Sequence, residues 1–180
     1  SPLKVTHLLW INLCMDSLAS LMFAGEPALK KYMRMKPRRR DESIISKPMA
    51  IQILIMSIWL TIISLAWFLV PVFRSCFATD AQWYTGFFCM FVFSFMVNAF
   101  NVRSDGLNVF EHIGENKRFI HIWLAIMAVQ IILVSIGGVI GEIFSCQRFG
   151  LQGWIAVSLM ALTMYPVDIL RKLLTPKAKQ

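Results

Sequence analysis

Asn12, Asp16 and Ser20 follow one another at i, i+4 and i+8 in the run WINLCMDSLAS. On an α-helix that spacing stacks three oxygen-bearing side chains on one face. Residues 5–25 hold no other Asp, Glu, Lys or Arg. A lone carboxylate in such a segment costs on the order of 2.5 to 3.5 kcal/mol at the centre of a bilayer, so Asp16 must face a partner or a water-filled cavity. Two chemistries fit a carboxylate beside a carboxamide: coordinating a cation, or carrying a proton. A third use is structural, with Asp16 in an interhelix hydrogen-bond network and Asn12 as a packing amide. A Ca²⁺ ion takes roughly six to eight oxygens. Asp16 supplies two at most and Asn12 one, so further ligands must come from elsewhere, and one carboxylate argues for one ion.

The elements that would position this pair are membrane helices. The 180 residues are 57% hydrophobic and 16% charged, with a mean hydropathy of +0.62, against about 25% charged in a soluble domain. Residues 49–70, 81–102 and 119–141 contain no Asp, Glu, Lys or Arg. Each is long enough to cross about 30 Å of hydrocarbon as a helix. Residues 151–170 form a fourth candidate, with Pro166 expected to distort its last turn, and residues 5–25 a fifth, the least apolar. The expected fold is therefore an all-α integral membrane bundle of five transmembrane helices. The four spans after the first add no mid-depth carboxylate. Asp168 falls near a helix end beside Arg171 and Lys172, where an ordinary surface ion pair is expected.

The net charge of +8 points to orientation and not to nucleic acid, because the charges lie between the apolar segments. Of the 18 Lys and Arg residues, 15 fall in the linker 26–48, the loop 103–118 and the C-terminal tail; Lys4, Arg74 and Arg148 make up the opposite set. The positive-inside rule places the 15 in the cytoplasm and the N-terminal end outside. Trp67, Phe68, Trp83, Tyr84 and Trp154 then cluster at outer helix ends and Trp123 and Tyr165 near inner ends, as interfacial anchors would or as plain packing would. An odd number of spans with an outward N-terminal end suits a C-terminal piece of something longer. No inverted repeat is visible.

The run SPLKVTHLLWINLCMDSLASLMFAGEP, followed by KPRRRDESIISKPM, resembles the sixth membrane helix and following cytoplasmic linker of P-type calcium ATPases, which read close to LLWVNLxMD, EP and KPxxRxExLIS. VNAFNVRSDGLNVFEHI is similar to the end of the eighth helix and its loop. VQIILVSIGG and the later FSC are similar to the ninth helix and outer loop of the plasma-membrane subgroup. The resemblance covers essentially all of residues 1–176. It implies that the five spans are the sixth to tenth helices of a ten-helix pump that exports Ca²⁺ from the cytosol. Asn12 and Asp16 would then be ligands of the calcium site shared with the fourth helix. Met15 stands where two-site pumps have a Thr ligand, and Phe95 falls at or near the position of a Glu. Both replacements remove oxygens, which implies one Ca²⁺ per cycle.

The family's chemistry is phosphorylation by ATP, with Mg²⁺, of an Asp in a DKTGT motif. This chain contains no DKTGT and no Gly-rich phosphate loop, so ATP and Mg²⁺ would act only through cytoplasmic domains outside it. No catalytic residue is assigned here. The expected partners are the bilayer and the remainder of the pump, in the plasma membrane or a vacuole-like endomembrane, with a cytoplasmic C-terminus. Two alternatives stay open. One is a P-type pump for another cation such as protons, because a buried Asp with an Asn also suits a proton carrier. The other is a truncated, non-catalytic membrane protein that associates with a pump.

The remaining features carry less. The basic linker 30–40 would attract anionic lipid headgroups, at about 1 kcal/mol per cation, or serve orientation alone. His7, His112 and His121 show no ligand spacing. Cys14, Cys76, Cys89 and Cys146 form no disulfide framework, although Cys76 and Cys146 both fall in outer loops, where a bridge is conceivable. No cleavable signal peptide is visible, and the tail RKLLTPKAKQ is too short to assign as a calmodulin target.

Overall fold

A computed structural model describes residues 3–26, 45–104 and 106–174. Most of the linker 26–48, including its basic stretch 30–40, and the last six residues of the tail lie outside the described residues. The described residues are helical, with no strand among them. In chain order they form α1 (Val5–Asn12), a π-helical segment (Leu13–Leu18), α2 (Ala19–Phe23), α3 (Lys47–Leu69), α4 (Pro71–Ser75), α5 (Asp80–Arg103), α6 (Lys117–Ile136), α7 (Gly138–Phe144), α8 (Leu151–Leu162) and α9 (Met164–Leu174). Among the described residues, four helical stretches are long and apolar enough to cross a membrane: α3, α5, α6 and the run Leu151–Leu174 formed by α8 and α9. The expected first span is helical from Val5 to Phe23 but divided into three pieces.

Helix starts follow from their caps. Thr79 accepts the Gln82 N–H at 3.2 Å to open α5, with Asp80 in its first turn. Asn116 accepts the Phe119 N–H at 2.9 Å to open α6. Each satisfies one of the donors that a helix N-terminus leaves unpaired. Pro71 holds Val70 out of the helical region (φ −95°, ψ 113°), so α3 ends there and α4 begins anew.

Two expected spans end differently. The span 119–141 stops at Ile136, because Gly137 (φ 63°) and Gly138 (φ 58°) take the positive-φ conformation that costs glycine least. Pro166 does not merely distort a last turn. The break falls at Thr163, and α9 continues to Leu174. Proline carries no N–H to bond a carbonyl one turn back, and Thr163 caps the interruption by donating to the Met160 carbonyl at 2.6 Å.

Helix α5 is the axle of the bundle. Two-thirds of its apolar window (67%) is buried, against 11% for α3. Cys89, Met90 and Val92 on α5 are fully covered, and α8, α9, α6 and α3 all pack on it. Close approach is set by glycine: a Cβ on Gly153 of α8 would stand 2.6 Å from the Phe77 ring, and one on Gly86 of α5 would stand 2.5 Å from it. The opposite surface of α3 carries Leu54, Ile58, Leu65 and Leu69 exposed, a face suited to hydrocarbon.

Indole groups bind helices together at three positions. Trp67 is wholly buried between Phe73 (5.5 Å) and Phe77 (5.6 Å), so the packing reading holds for it. Trp59 donates to Thr163 Oγ1 at 3.0 Å, and Trp123 to the Met96 carbonyl at 2.9 Å.

Candidate functional site

The chemistry-bearing segment is where regular helix fails. Asn12 is the last residue of α1, and LCMDSL, with Asp16 inside it, forms the π-helical turn and a half that follows. A π segment closes i→i+5 bonds in place of i→i+4, is rare, and concentrates at functional sites. The continuous α-helical backbone expected to carry Asn12, Asp16 and Ser20 on one stripe is therefore interrupted at Leu13–Leu18. The Asn12 side chain is exposed on this chain, whereas His7, Ile11 and Met22 are buried. Ser17 and Ser20 are exposed as well. Leu8, Leu9, Leu13 and Leu21 flank them, each exposed over about half of its surface or more. The side chains of Cys14, Met15 and Asp16 lie outside the described residues.

Both ends of this interrupted helix are pinned. At one end His7 is buried, stacked on Phe88 of α5 at 4.2 Å. Its Nδ1 accepts the Lys4 N–H at 3.3 Å, which leaves Nε2–H to donate to the Phe144 carbonyl at 2.5 Å. One turn on, Trp10 Nε1 donates to Gln130 Oε1 of α6 at 2.8 Å. At the other end Glu26 Oε1 accepts from Arg103 Nε at 2.6 Å and from Asn116 Nδ2 at 2.9 Å. Phe23 meets Phe119 edge-on at 5.9 Å.

None of His7, Gln130, Glu26 and Arg103 stood out in the sequence as a partner of the first helix. Gln130 had a signal, as the one carboxamide in the middle of an apolar span, where a polar side chain needs an interhelix partner. Phe95 of α5 is half-buried with its ring edge-on to Phe91 at 5.1 Å, so that position offers no oxygen.

Asp168 is not in a surface ion pair. Its carboxylate is buried, with Arg171 Nε at 2.8 Å and Lys172 Nζ at 2.8 Å, and both cationic side chains are at most 10% exposed. Lys172 also donates to the Asn101 carbonyl, and Asn101 Nδ2 to the Met164 carbonyl. The carboxylate satisfies cations at i+3 and i+4 on one face of α9, and the two bonds of Asn101 tie that helix to α5.

Cys76 and Cys146 are free thiols. Cys146 is buried with its Sγ 3.7 Å from His7 Nε2, while Cys76 donates to the Val72 carbonyl; the conceivable bridge is not made. Burial pushes the Cys146 thiol up to about 11, so it is protonated at neutral pH. Among the described residues no group of three or more His, Cys, Asp or Glu side chains is disposed to hold a metal ion.

Residues 1–174 match the family described as cation transporting ATPase, C-terminus. The chain is 36% identical over 166 residues to the plasma membrane calcium-transporting ATPase mca-1 of Caenorhabditis elegans, covering 86% of this chain and 13% of that protein. It is 35% identical over 167 residues to plasma membrane calcium-transporting ATPase 2 of Oreochromis mossambicus, covering 86% and 15%. It is 34% identical over 174 residues to plasma membrane calcium-transporting ATPase 1 of Homo sapiens, covering 86% and 13%. The chain thus spans about 13 to 15% of the length of these relatives.

Proposed function

The chain belongs to the cation-transporting ATPases, as the C-terminal membrane part, and we propose that it supplies the sixth to tenth helices of an ATP-driven Ca²⁺ pump, with Asn12 and Asp16 as ligands of one transported ion. The observation that carries this reading is the placement of Asn12 on an open helix face immediately before a π segment that contains Asp16. A carboxamide on the open face of a membrane helix needs a partner, and irregular backbone is tolerated at membrane depth only where protein or a cavity covers it. Further helices of the pump, bringing the remaining oxygens, meet both needs.

The wider π turn has a chemical use. It breaks the regular α-helical ladder between the Asn12 turn and α2, in the segment that contains Asp16. Calcium coordination is flexible and takes carboxylate and carbonyl oxygens together. The phenyl ring at Phe95 and the thioether at Met15 offer no hard oxygen, which supports one Ca²⁺ per cycle. The names of the relatives support Ca²⁺ over protons and the plasma membrane over other membranes. ATP and Mg²⁺ would act on other domains of the pump, and the energy would reach this part through its contacts with them.

Replacing Asp16 by Asn in the full-length protein tests the reading. Phosphorylation by ATP in the wild type should require Ca²⁺, and the variant should lose that dependence together with the phosphoenzyme. Retained Ca²⁺-dependent phosphorylation in Asp16→Asn sinks the assignment; stimulation by pH with no response to Ca²⁺ in the wild type points to a proton pump.

A further inference from the structure

A helix with a π segment in its middle lacks a continuous hydrogen-bond ladder of one pitch, so each half is held in place by its own tertiary contacts. The half that follows the Asp16 segment is short: α2 is five residues long, Ala19–Phe23. A polar contact with the rest of the bundle is made three residues later, by Glu26. The Glu26 carboxylate is 31% exposed, but the Arg103 side chain that grips it is 2% exposed. Arg103 is immobilised on all sides: Nε donates to Glu26, Nη1 donates to the Glu111 carbonyl at 2.8 Å, and the guanidinium lies over the Phe119 ring at 5.4 Å.

A second donor reaches the same oxygen from a different helix. Asn116, buried to 2%, spends its Oδ1 on capping α6 and its Nδ2 on Glu26 Oε1. The amide cannot turn without losing both bonds. Gly25 permits the approach, since a Cβ there would stand 2.9 Å from Asn116 Oδ1. One carboxylate oxygen is thus fixed by the end of α5 and the start of α6 together. Charge-assisted bonds of this kind are the strong ones, and an arginine fork gives direction as well as energy.

We propose that Glu26 is a positioning residue for cation binding: gripped by Arg103 and Asn116, it sets where the second half of the site helix stands against α5 and α6, and through that where Asp16 is presented. The inference rests on the Ca²⁺ reading of Asn12 and Asp16. Glu26 touches no ion. Its effect is on the Ca²⁺ concentration that half-saturates the site, and not on the chemistry of phosphorylation.

The test uses the full-length pump, with Ca²⁺-dependent phosphorylation by ATP and Ca²⁺-independent phosphorylation by inorganic phosphate measured on the same membranes. In Glu26→Gln and Arg103→Gln the half-saturating Ca²⁺ concentration should rise by about fivefold or more, while the maximal phosphoenzyme level stays within about twofold. Arg103→Lys, which keeps the charge but not the fork, should recover only part of the affinity. Where Glu26→Gln does not reach the membrane, Asn116→Ser decides: serine still caps α6 but loses the donor to Glu26, and the half-saturating concentration should rise by about twofold. Wild-type half-saturation in Glu26→Gln or in Asn116→Ser overturns the proposal. Asp16→Asn is run beside them, because Ca²⁺-dependent phosphorylation surviving in that variant overturns the calcium reading itself, and this inference with it.

Discussion

The indole N–H of Trp10 donates to the side-chain oxygen of Gln130 across 2.8 Å, and this one bond ties the helix that carries Asn12 to the middle of α6. Gln130 is fully buried, and its amide nitrogen lies 3.4 Å from Cys89 Sγ on α5. Both polar ends of the carboxamide are therefore spoken for between three helices.

Replacing Gln130 by Leu keeps the volume near constant and removes the acceptor. Interhelix hydrogen bonds within a bilayer contribute about 0.6 kcal/mol on average and up to about 1.7 kcal/mol. The expected loss lies toward the upper end, because the partly buried Trp10 N–H is left without its acceptor. Unfolding of the full-length protein in nanodiscs, followed by Trp fluorescence, measures it. An unchanged midpoint contradicts the pin.

The Asp168 cluster predicts a larger effect from an equally small change. Asp168→Asn leaves Arg171 and Lys172 with little exposure and no anion, and breaking a buried pair in this way costs about 3 to 5 kcal/mol. The variant should show reduced yield and an early melting transition, with α9 the first part to exchange amide hydrogens. Replacing both Asp168 and Lys172 by Leu should recover part of the loss; a double variant as unstable as Asp168→Asn argues against the charge pair as the cause.

His112 predicts a pH response outside the membrane. Its Nδ1 meets Glu115 Oε1 at 2.9 Å and its Nε2 meets Glu111 Oε1 at 3.4 Å. The hydrogen bond to Glu115, aided by the nearby carboxylate charges, holds the imidazole above its ordinary value near 6.5. The sign follows: the paired, protonated loop is favoured in full below pH 6.5, and the contribution is lost as pH rises through the raised value. Histidine-resolved NMR should place the His112 midpoint above 6.5, and Glu115→Gln should lower it. A midpoint at or below 6.5 in the wild type contradicts the contact.

Helix content and four of the spans were legible because apolar runs of about twenty residues have one stable solution in hydrocarbon. The ends were legible where local chemistry decides them, as at Thr79, Asn116 and Pro71. The break at Gly137 and Gly138 was hidden inside an apolar run that hydropathy treats as continuous. Burial of Asp168 was hidden for another reason: its partners are adjacent in sequence, as they would be on a surface, and only packing of α9 against α5 removes the water. Asn12 and Asp16 were legible as residues that need partners, whereas the π segment that follows Asn12 and contains Asp16 was not, since Leu13–Leu18 contains no Pro or Gly to announce it. The grip of Arg103 on Glu26 joins positions 77 residues apart, a distance no local pattern spans.

Equilibrium binding of Ca²⁺ to the full-length protein in membranes, counted against phosphorylation sites, tests the central claim most directly. The wild type should saturate at about one Ca²⁺ per site, and Asp16→Asn and Asn12→Ala should each lose high-affinity binding while still accepting phosphate from inorganic phosphate. Undiminished Ca²⁺ binding in Asp16→Asn contradicts the assignment.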